Sequence, residues 1–424
     1  MKQHKVRASV VIGAIAASAL ALAGCSGTGT GAGSTTTTSA STTGQTINYW
    51  LWQDNATDTT WQQLADEFNA QGGHGKVTLQ VVPAAQYLDK LSTAISSGNG
   101  PDAARMKDSW IGQFVDAGVL ASLNDRIDAW KGKSSVEPSA WDAGKVPGGD
   151  QIYMMPHQNT ALYMYYNKKL FADAGLQPPT TQSEMLSDAP KLTGNGHYAF
   201  DVRGGAGGQD QWAAWMLAGG AQFVNSSGSV ILDKAPAESV NQKYLDLAKY
   251  APPGSETAAF SQVQSNFLAG TTATMIHHIG SLAAVRKQFG DGVGVIPVPA
   301  ANPSKPSTVQ SMSGNVIFAN SKKQELAWQW ETFLLGDAQM LKMSTSPQGQ
   351  LPVTKAVAAN EAFKKDPAYQ VAITAAKTAK SWPQLPGTTT VVNATWSPTI
   401  QQAFSGQLTS AKMLQALAAG LKKK

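Results

Sequence analysis

Short apolar runs alternate with helical stripes along the first third of the chain. Ile47–Trp52 and Val77–Val82 have the length and composition of strands. Between them, Trp61, Leu64 and Phe68 recur at the i, i+3, i+7 spacing of an amphipathic helix. Alternation of this kind predicts an α/β fold built on a parallel sheet that helices cover on both faces.

Polar residues follow the predicted strands at two places. The two segments, each with polar residues beside a tryptophan, are Trp52-Gln53-Asp54-Asn55 and Lys107-Asp108-Ser109-Trp110. Ligands bind such sheets beyond the carboxyl ends of the strands, where the loops gather. We therefore expect both segments at the mouth of a ligand cleft.

The stretch from Gln151 to Met185 indicates a crossing between two lobes. Its apolar runs Ile152–Met155 and Ala161–Tyr166 are separated by a polar insert, Pro156-His157-Gln158-Asn159-Thr160. A helix is predicted to begin at Asn167 and to end at Gly175. Thr181 and Glu184 then form a capping box for the next helix.

The first 45 residues differ from the rest in composition. A basic start, an apolar run and small residues predict a signal peptide over residues 1–24. Residues 25–45 are rich in Gly, Ser and Thr, which predicts a flexible tether. Cys25 is the single cysteine in the sequence, so no internal disulfide is possible.

Charge and motifs exclude several function classes. Without Lys2, Lys5 and Arg7, 30 basic residues balance 28 acidic ones, which is no nucleic-acid footprint. The sequence has no nucleophile elbow, no phosphate-binding P-loop and no zinc-protease helix. His277-His278 lies on a predicted strand, where neighbouring side chains point to opposite faces, so we expect no shared metal ion. No cofactor and no metal are expected.

The central stretch resembles a known family. Its order of a proline, polar residues, an apolar strand, Tyr-Asn-Lys, a helix ending in Ala-Gly and then Pro-Pro-Thr-Thr resembles the extracellular solute-binding proteins of ABC importers, in the maltose-binding-protein-like sugar-binding branch. Leu22-Ala23-Gly24-Cys25 resembles the bacterial lipobox, in which the cysteine is acylated. The resemblance covers the chain from about residue 46 onward and rests on the order of many weak motifs.

The resemblance implies a two-lobed α/β fold of the periplasmic-binding-protein type, with crossover strands and a ligand cleft. We expect the first lobe to comprise residues 46–155 and 299–335, and the second residues 156–298 and 336–424. The implied function is capture of a carbohydrate by lobe closure and its delivery to ABC permease subunits with their ATPase. The protein would be a monomer without enzymatic activity, anchored through Cys25 to the outer face of the cytoplasmic membrane.

Sugars need aromatic faces for stacking and polar groups for their hydroxyls. The candidate ligand-binding residues are Trp52, Asp54, Asn55, Asp108, Trp110, His157, Gln158, Thr160, Asp210, Trp212, Asn315, Trp382 and Trp396. For each tryptophan a core position is the competing interpretation, and Trp396 matches a stacking position of the family. The family's aromatic residue after Gly280 is replaced by Ser281, and its common acid is replaced by Thr160.

Two alternatives remain open at this point. A lipid-anchored hydrolase acting on glycans would need two carboxylates facing the cleft, which Asp54, Asp108 and Asp210 could supply. A binding protein for a non-sugar solute, such as a polyamine or a peptide, is the other.

Overall fold

The structure is a computed structural model, and it describes residues 41–53, 58–205, 207–346 and 349–423. Cys25, Asp54 and Asn55 lie outside the described residues, so their predicted roles stay predictions. The predicted signal peptide and the tether up to residue 40 also lie outside them.

One sheet of five strands, in the order β2-β1-β3-β9-β4, defines the first lobe. Its strands are β1 (Thr46–Gln53), β2 (Lys76–Pro83), β3 (Ala103–Lys107), β4 (Met155–Ala161) and β9 (Gln310–Ile317). β1 runs parallel to β2 and β3, whereas β9 runs antiparallel to both β3 and β4. The parallel pairing predicted from the first third of the chain is therefore confirmed for β1, β2 and β3, and β9 adds an antiparallel strand from a distant part of the sequence.

A second sheet, in the order β6-β7-β5-β8, defines the second lobe. Its strands are β5 (Tyr163–Asn167), β6 (Tyr198–Phe200), β7 (Thr272–His277) and β8 (Val293–Ile296). β5 pairs antiparallel with β7 and β8, and β6 pairs parallel with β7. β8 is an edge strand of this sheet.

Helices cover both sheets. Those before β5 are α1 (Thr60–Gln71), α2 (Ala84–Ser96), α3 (Asp108–Asp116), α4 (Asn124–Ala129) and α5 (Pro138–Asp142). Those between β5 and β9 are α6 (Lys168–Asp173), α7 (Gln182–Asp188), α8 (Gly208–Ala218), α9 (Ala237–Leu247), α10 (Phe260–Leu268) and α11 (Leu282–Phe289). Those after β9 are α12 (Gln324–Leu334), α13 (Asp337–Ser344), α14 (Lys355–Ala358), α15 (Glu361–Lys364), α16 (Pro367–Thr378), α17 (Thr388–Thr390), α18 (Trp396–Phe404) and α19 (Ser410–Leu421).

Local sequence signals explain several helix ends. Asn167 caps α6 by accepting hydrogen bonds from two backbone amides. Thr181 and Glu184 form the predicted capping box at α7. Gly207 precedes α8 with a φ of 78°, a left-handed conformation that favours glycine.

The polar insert predicted between two strands is itself a strand. β4 spans Met155–Ala161, and Leu162 alone separates it from β5. Ile152, placed in a predicted strand, makes only an isolated bridge to Lys145. The pattern was misleading because the polar side chains of β4 are buried with polar partners, Gln158 with Arg105 and Asn159 with Gln310, so apolar alternation does not mark the strand.

The two lobes have separate apolar cores. The first core contains Tyr49, Phe68 and Trp330, and the second contains Trp212, Tyr244 and Leu417. A further cluster that includes Tyr163 and Tyr165 lies on the other face of β5, because successive strand residues alternate. Met340, Met343, Val353, Val357 and Phe363 pack into the first core. This differs from the predicted boundary, which assigned all residues after 335 to the second lobe.

One turn of π-helix, Val391–Thr395, joins α17 to α18. Such turns are rare and are frequently found at functional sites. Val391 and Val392 of this turn are buried, and its Asn393 is exposed. Among the described residues, no helix has the length and apolar character needed to cross a membrane.

Candidate functional site

A cavity of about 760 Å³ lies between the two lobes, and we call it the interlobe cavity. The first lobe lines it with residues of β1, α1, β3, β4 and β9. The second lobe lines it with the glycine-rich loop before α8, with α8 and α10, and with the end of β7. Its volume falls within the range of pockets that enclose small molecules.

Strand alternation decides which residues of β4 and β9 reach the cavity. Gln158 and Thr160 of β4 line it, as do Ser311 and Ser313 of β9. Gln310 lines a different cavity, also of about 760 Å³, and its side chain accepts a hydrogen bond from Asn159 at 2.9 Å. The predicted contacts Gln158 and Thr160 are therefore placed where a ligand could reach them.

Two indole rings and a guanidinium form the first-lobe wall. Trp52 and Trp61 line the cavity, and the Arg105 guanidinium lies 4.0 Å from the Trp52 ring centroid. Arg105 donates to the Trp52 carbonyl and to Gln158 Oε1, both at 3.0 Å. Its own carbonyl accepts a hydrogen bond from the Tyr87 hydroxyl at 2.7 Å. These contacts fix the guanidinium and one indole as a single rigid surface.

Phe260, His277 and His278 form an aromatic group on the second-lobe wall. The His277 ring lies 4.0 Å from Phe260 and 4.8 Å from His278, measured between centroids. We expected the two histidines to point to opposite faces, but β7 ends at His277 and its alternation ends there too. Ser281, where the family has an aromatic residue, is buried and hydrogen-bonds to His277 Nδ1.

Both imidazoles are neutral at ordinary pH. Burial lowers the pKa of His277 well below its usual value and that of His278 to about 4. His278 Nδ1 accepts a hydrogen bond from the Gly280 amide at 3.1 Å, which leaves the proton on Nε2. Within the described residues His277 Nε2 has no hydrogen-bond partner, and a ligand hydroxyl could satisfy it.

Besides Arg105, the charged side chains Lys107, Arg203 and Asp210 line the cavity. The Asp210 carboxylate accepts a hydrogen bond from Trp382 Nε1 at 3.0 Å. Burial raises the pKa of the Asp210 carboxyl, and the Lys107 ammonium opposes that rise. Burial also lowers the pKa of Arg203 to about 10, which leaves it charged at neutral pH.

Asp108 and Asn315 were predicted ligand contacts, but the structure places both inside the first lobe. Asp108 accepts hydrogen bonds from the Ser109 amide at 2.8 Å and the Met312 amide at 2.9 Å, so it ties α3 to β9. Burial raises the pKa of Asp108 to about 7. Asn315 accepts a hydrogen bond from the Tyr49 hydroxyl. Neither residue lines the interlobe cavity.

Trp110 and His157 support the first-lobe wall from behind. Trp110 packs 5.4 Å from Trp52, and His157 meets the Trp61 ring edge-on at 5.2 Å. Both residues are buried and neither lines the cavity. Their predicted direct contact with a ligand is replaced by packing against residues that do line it.

The tryptophans predicted to stack from the second lobe form a buried cluster instead. Trp212 lies 6.1 Å from Trp382 and 6.3 Å from Trp396, and all three are at most 2% exposed. Trp212 donates its indole hydrogen to Asn241 at 2.7 Å. A Cβ on Gly208 would lie 2.8 Å from the Trp396 ring, so the backbone of α8 packs directly on it. A stacking role for these three residues is therefore wrong in this structure.

Several cavity residues were not selected from the sequence. Trp61 has the helical spacing of a core residue, and Phe260 has no distinguishing neighbour. Two residues did carry a signal. Arg105 is a charged residue within a buried strand, and Arg203 follows β6 at the start of a glycine-rich loop.

No group of three or more His, Cys, Asp and Glu residues in the described part of the chain could hold a metal ion.

A cavity between two α/β lobes, lined by aromatic and polar side chains from both, defines a two-lobed ligand-binding protein. Over residues 52–341 the chain matches the family of bacterial extracellular solute-binding proteins. The protein belongs to that family, which acts outside the cytoplasm.

Relatives and solved structures agree with this assignment. A putative binding protein of Brucella abortus is 28% identical over 312 residues, covering 70% of this chain and 74% of the relative. The diacetylchitobiose-binding protein DasA of Streptomyces coelicolor is 25% identical over 362 residues, covering 82% of each chain. A solute-binding protein of an ABC transporter from Thermotoga lettingae, solved with α-D-tagatose, shares the fold with a TM-score of 0.77 and 23% identity, covering 89% of this chain and 98% of that one.

These findings confirm the predicted two-lobed fold and the predicted family. Membership of a family of solute-binding proteins also agrees with the prediction that the chain binds a ligand without converting it.

Proposed function

We propose that this protein captures a carbohydrate in the interlobe cavity and passes it to the permease subunits of an ABC importer. The observation that supports this most strongly is the composition of the two walls. Parts of the Trp52, Trp61 and Phe260 rings line the cavity, and amide, hydroxyl and charged groups lie beside them. Sugar rings present C–H faces and hydroxyls that need both kinds of contact.

The proposal includes a lipid anchor at Cys25 and a monomeric protein at the membrane surface. Its support is the position of the single cysteine, directly after Leu22-Ala23-Gly24. An acylated residue followed by a long polar tether would keep the binding lobes close to the permease.

A phosphate-bearing solute is a second candidate, and one observation favours it. Arg105, Lys107 and Arg203 all line the cavity, and cations of this kind recognise phosphate. A relative from Escherichia coli that is 23% identical binds sn-glycerol-3-phosphate, according to its name. The carbohydrate proposal is preferred because three aromatic rings face the same cavity.

Calorimetric titration of the purified protein tests the choice. The panel consists of maltotriose, diacetylchitobiose, tagatose and sn-glycerol-3-phosphate. We expect at least one of the three sugars to bind with a Kd at or below about 10 µM, and to be recovered chemically intact after a day. Binding of sn-glycerol-3-phosphate alone would overturn the carbohydrate assignment, and appearance of shorter sugars would overturn binding without turnover.

The anchor is tested by cell fractionation. Cys25→Ala should move the protein from the membrane fraction to the soluble or secreted fraction. A Cys25→Ala protein that stays with the membrane after a salt wash would contradict the anchor.

A further inference from the structure

Lys107 and Asp210 face the same cavity from opposite lobes. Lys107 is the last residue of β3 in the first sheet, opposite Ser313 of β9. Asp210 lies in the first turn of α8, whose tryptophans belong to the second core. Both side chains are partly buried and line the cavity.

The Lys107 ammonium lies over two aromatic rings of the first lobe. It lies 5.7 Å from the Trp52 ring centroid and 5.4 Å from that of Trp110. In the described part of the chain its side chain makes no ion pair within 4.0 Å. A lysine held over two aromatic rings and open to a cavity is available to bind a further group.

Within the described residues, one hydrogen bond orients the Asp210 carboxylate, and the positive charge of Arg203 on the same lobe also acts on it. Trp382 Nε1 donates to its Oδ1 atom, which orients the group and leaves its second oxygen for another donor. The ammonium of Lys107 is close enough to lower the pKa of this carboxyl, although the two groups are not in contact. The charges therefore attract each other across the space that a ligand would occupy.

We propose that Lys107 and Asp210 form an open charge pair across the interlobe cavity, which draws the lobes together and holds two adjacent hydroxyls of the ligand between them. A hydroxyl oxygen accepts from the ammonium, and a neighbouring hydroxyl donates to the carboxylate. A diol can satisfy both charges at once only when the lobes are closed. The second half of this proposal rests on the proposed carbohydrate function, and the first half does not.

The attraction between the lobes is tested without a ligand, by small-angle X-ray scattering. Raising the salt concentration from about 0.01 M to about 1 M shortens the screening length from about 30 Å to about 3 Å. The radius of gyration of the wild-type protein should increase with salt, and that of Lys107→Gln should already be larger and insensitive to salt. Equal, salt-independent radii for both proteins would overturn the charge pair.

Charge reversal gives a sharper form of this test. Lys107→Glu places two negative charges across the cavity and should enlarge the radius of gyration further. Adding Asp210→Lys restores opposite charges and should return the radius towards the wild-type value. If the swapped protein does not fold, Lys107→Gln with Asp210→Asn replaces it, and the salt response should then be lost. The matched control is the reversal of Lys169 and Asp173, an exposed pair on α6, which should change nothing.

Ligand bridging is tested with maltotriose and diacetylchitobiose as probes. Lys107→Gln and Asp210→Asn should each weaken binding by at least about tenfold, the loss expected for a hydrogen bond to a charged group. Because one diol joins both residues, the affinity of the double variant should fall by much less than the product of the two single-variant fold-losses. Fully multiplicative losses would overturn the bridge while leaving the carbohydrate function intact. Failure of every sugar to bind the wild type would overturn both the function and the bridge, and the scattering result would still decide the charge pair.

Discussion

The two lobes bury their tryptophans for different purposes. In the first lobe, Trp52 and Trp61 are mostly buried, yet one part of each ring lines the interlobe cavity. In the second lobe, Trp212, Trp382 and Trp396 pack on one another and do not reach it. The difference teaches that a tryptophan count does not measure the number of stacking positions. The elements that surround each ring decide whether a ligand can reach it.

The largest expected effect is on the stability of the second lobe. Trp396→Ala removes a fully buried ring on which α8 packs, and large-to-small changes of this kind cost about 3 to 5 kcal/mol. We expect a marked fall in melting temperature, with sugar affinity retained in the protein that remains folded. Thermal melts and titration at a low temperature check both parts. A Trp396→Ala protein that melts normally but binds at least tenfold more weakly would reverse the comparison.

The second effect is on binding by the first lobe. Trp61→Ala removes a ring face from the cavity and should weaken sugar binding by about 1.5 to 3 kcal/mol, or roughly ten- to a hundredfold. Some stability should be lost as well, because the ring also packs on Tyr49 at 5.9 Å. Trp130→Ala is the matched control, a partly buried tryptophan of the same lobe that does not line the cavity. Equal affinity losses in the two variants would show that Trp61 acts only through stability.

The smallest expected effect is on the pH dependence of stability, and it comes from the different ways in which the two lobes bury an acidic side chain. In the second lobe, Asp201 accepts hydrogen bonds from Ser255 and Asn266, both at 2.6 Å. In the first lobe, neither carboxyl oxygen of Glu331 has a hydrogen-bond partner in the described part of the chain. Burial raises the pKa of Glu331 well above its usual value.

A folded-state pKa above the unfolded value means that the folded protein keeps this proton longer as the pH rises. The stability that comes from the protonated group is fully present below the unfolded pKa and is lost as the pH rises towards the folded one. Glu331→Gln should therefore raise the melting temperature at pH 8 and leave it nearly unchanged near pH 4. Parallel pH profiles for the two proteins would show that Glu331 is not held neutral.

Local elements were predictable from the sequence because their causes are local. The stripe of Trp61, Leu64 and Phe68 gave α1, and Thr181 with Glu184 gave the start of α7. Gln158 and Thr160 were selected because the polar insert at this crossing lies in the ligand cleft of the family that the chain resembles, and both line the interlobe cavity.

What could not be predicted depends on contacts between distant segments. Asp108 looks like a ligand contact until β9 brings the Met312 amide to its carboxylate. Trp396 looks like a stacking residue until α8 covers it. His277 and His278 face one cavity because β7 ends between them, and the sequence pattern does not mark that end. In each case the side-chain chemistry was right for a binding site, and the tertiary neighbours decided its use.

The π turn at Val391–Thr395 has a consequence for how this site could diverge. An i→i+5 turn accommodates one residue more than the α-helical path. That additional residue lets Asn393 reach the cavity while Trp396, three positions later, remains in the second core. Deleting one residue here would rotate everything before it by about 100° relative to α18, since an α-helix has 3.6 residues per turn. A single-codon deletion here would therefore change the residue offered to the ligand and also move Val391 and Val392, which are buried in the second core, so the length of this turn constrains the site as much as its side chains do.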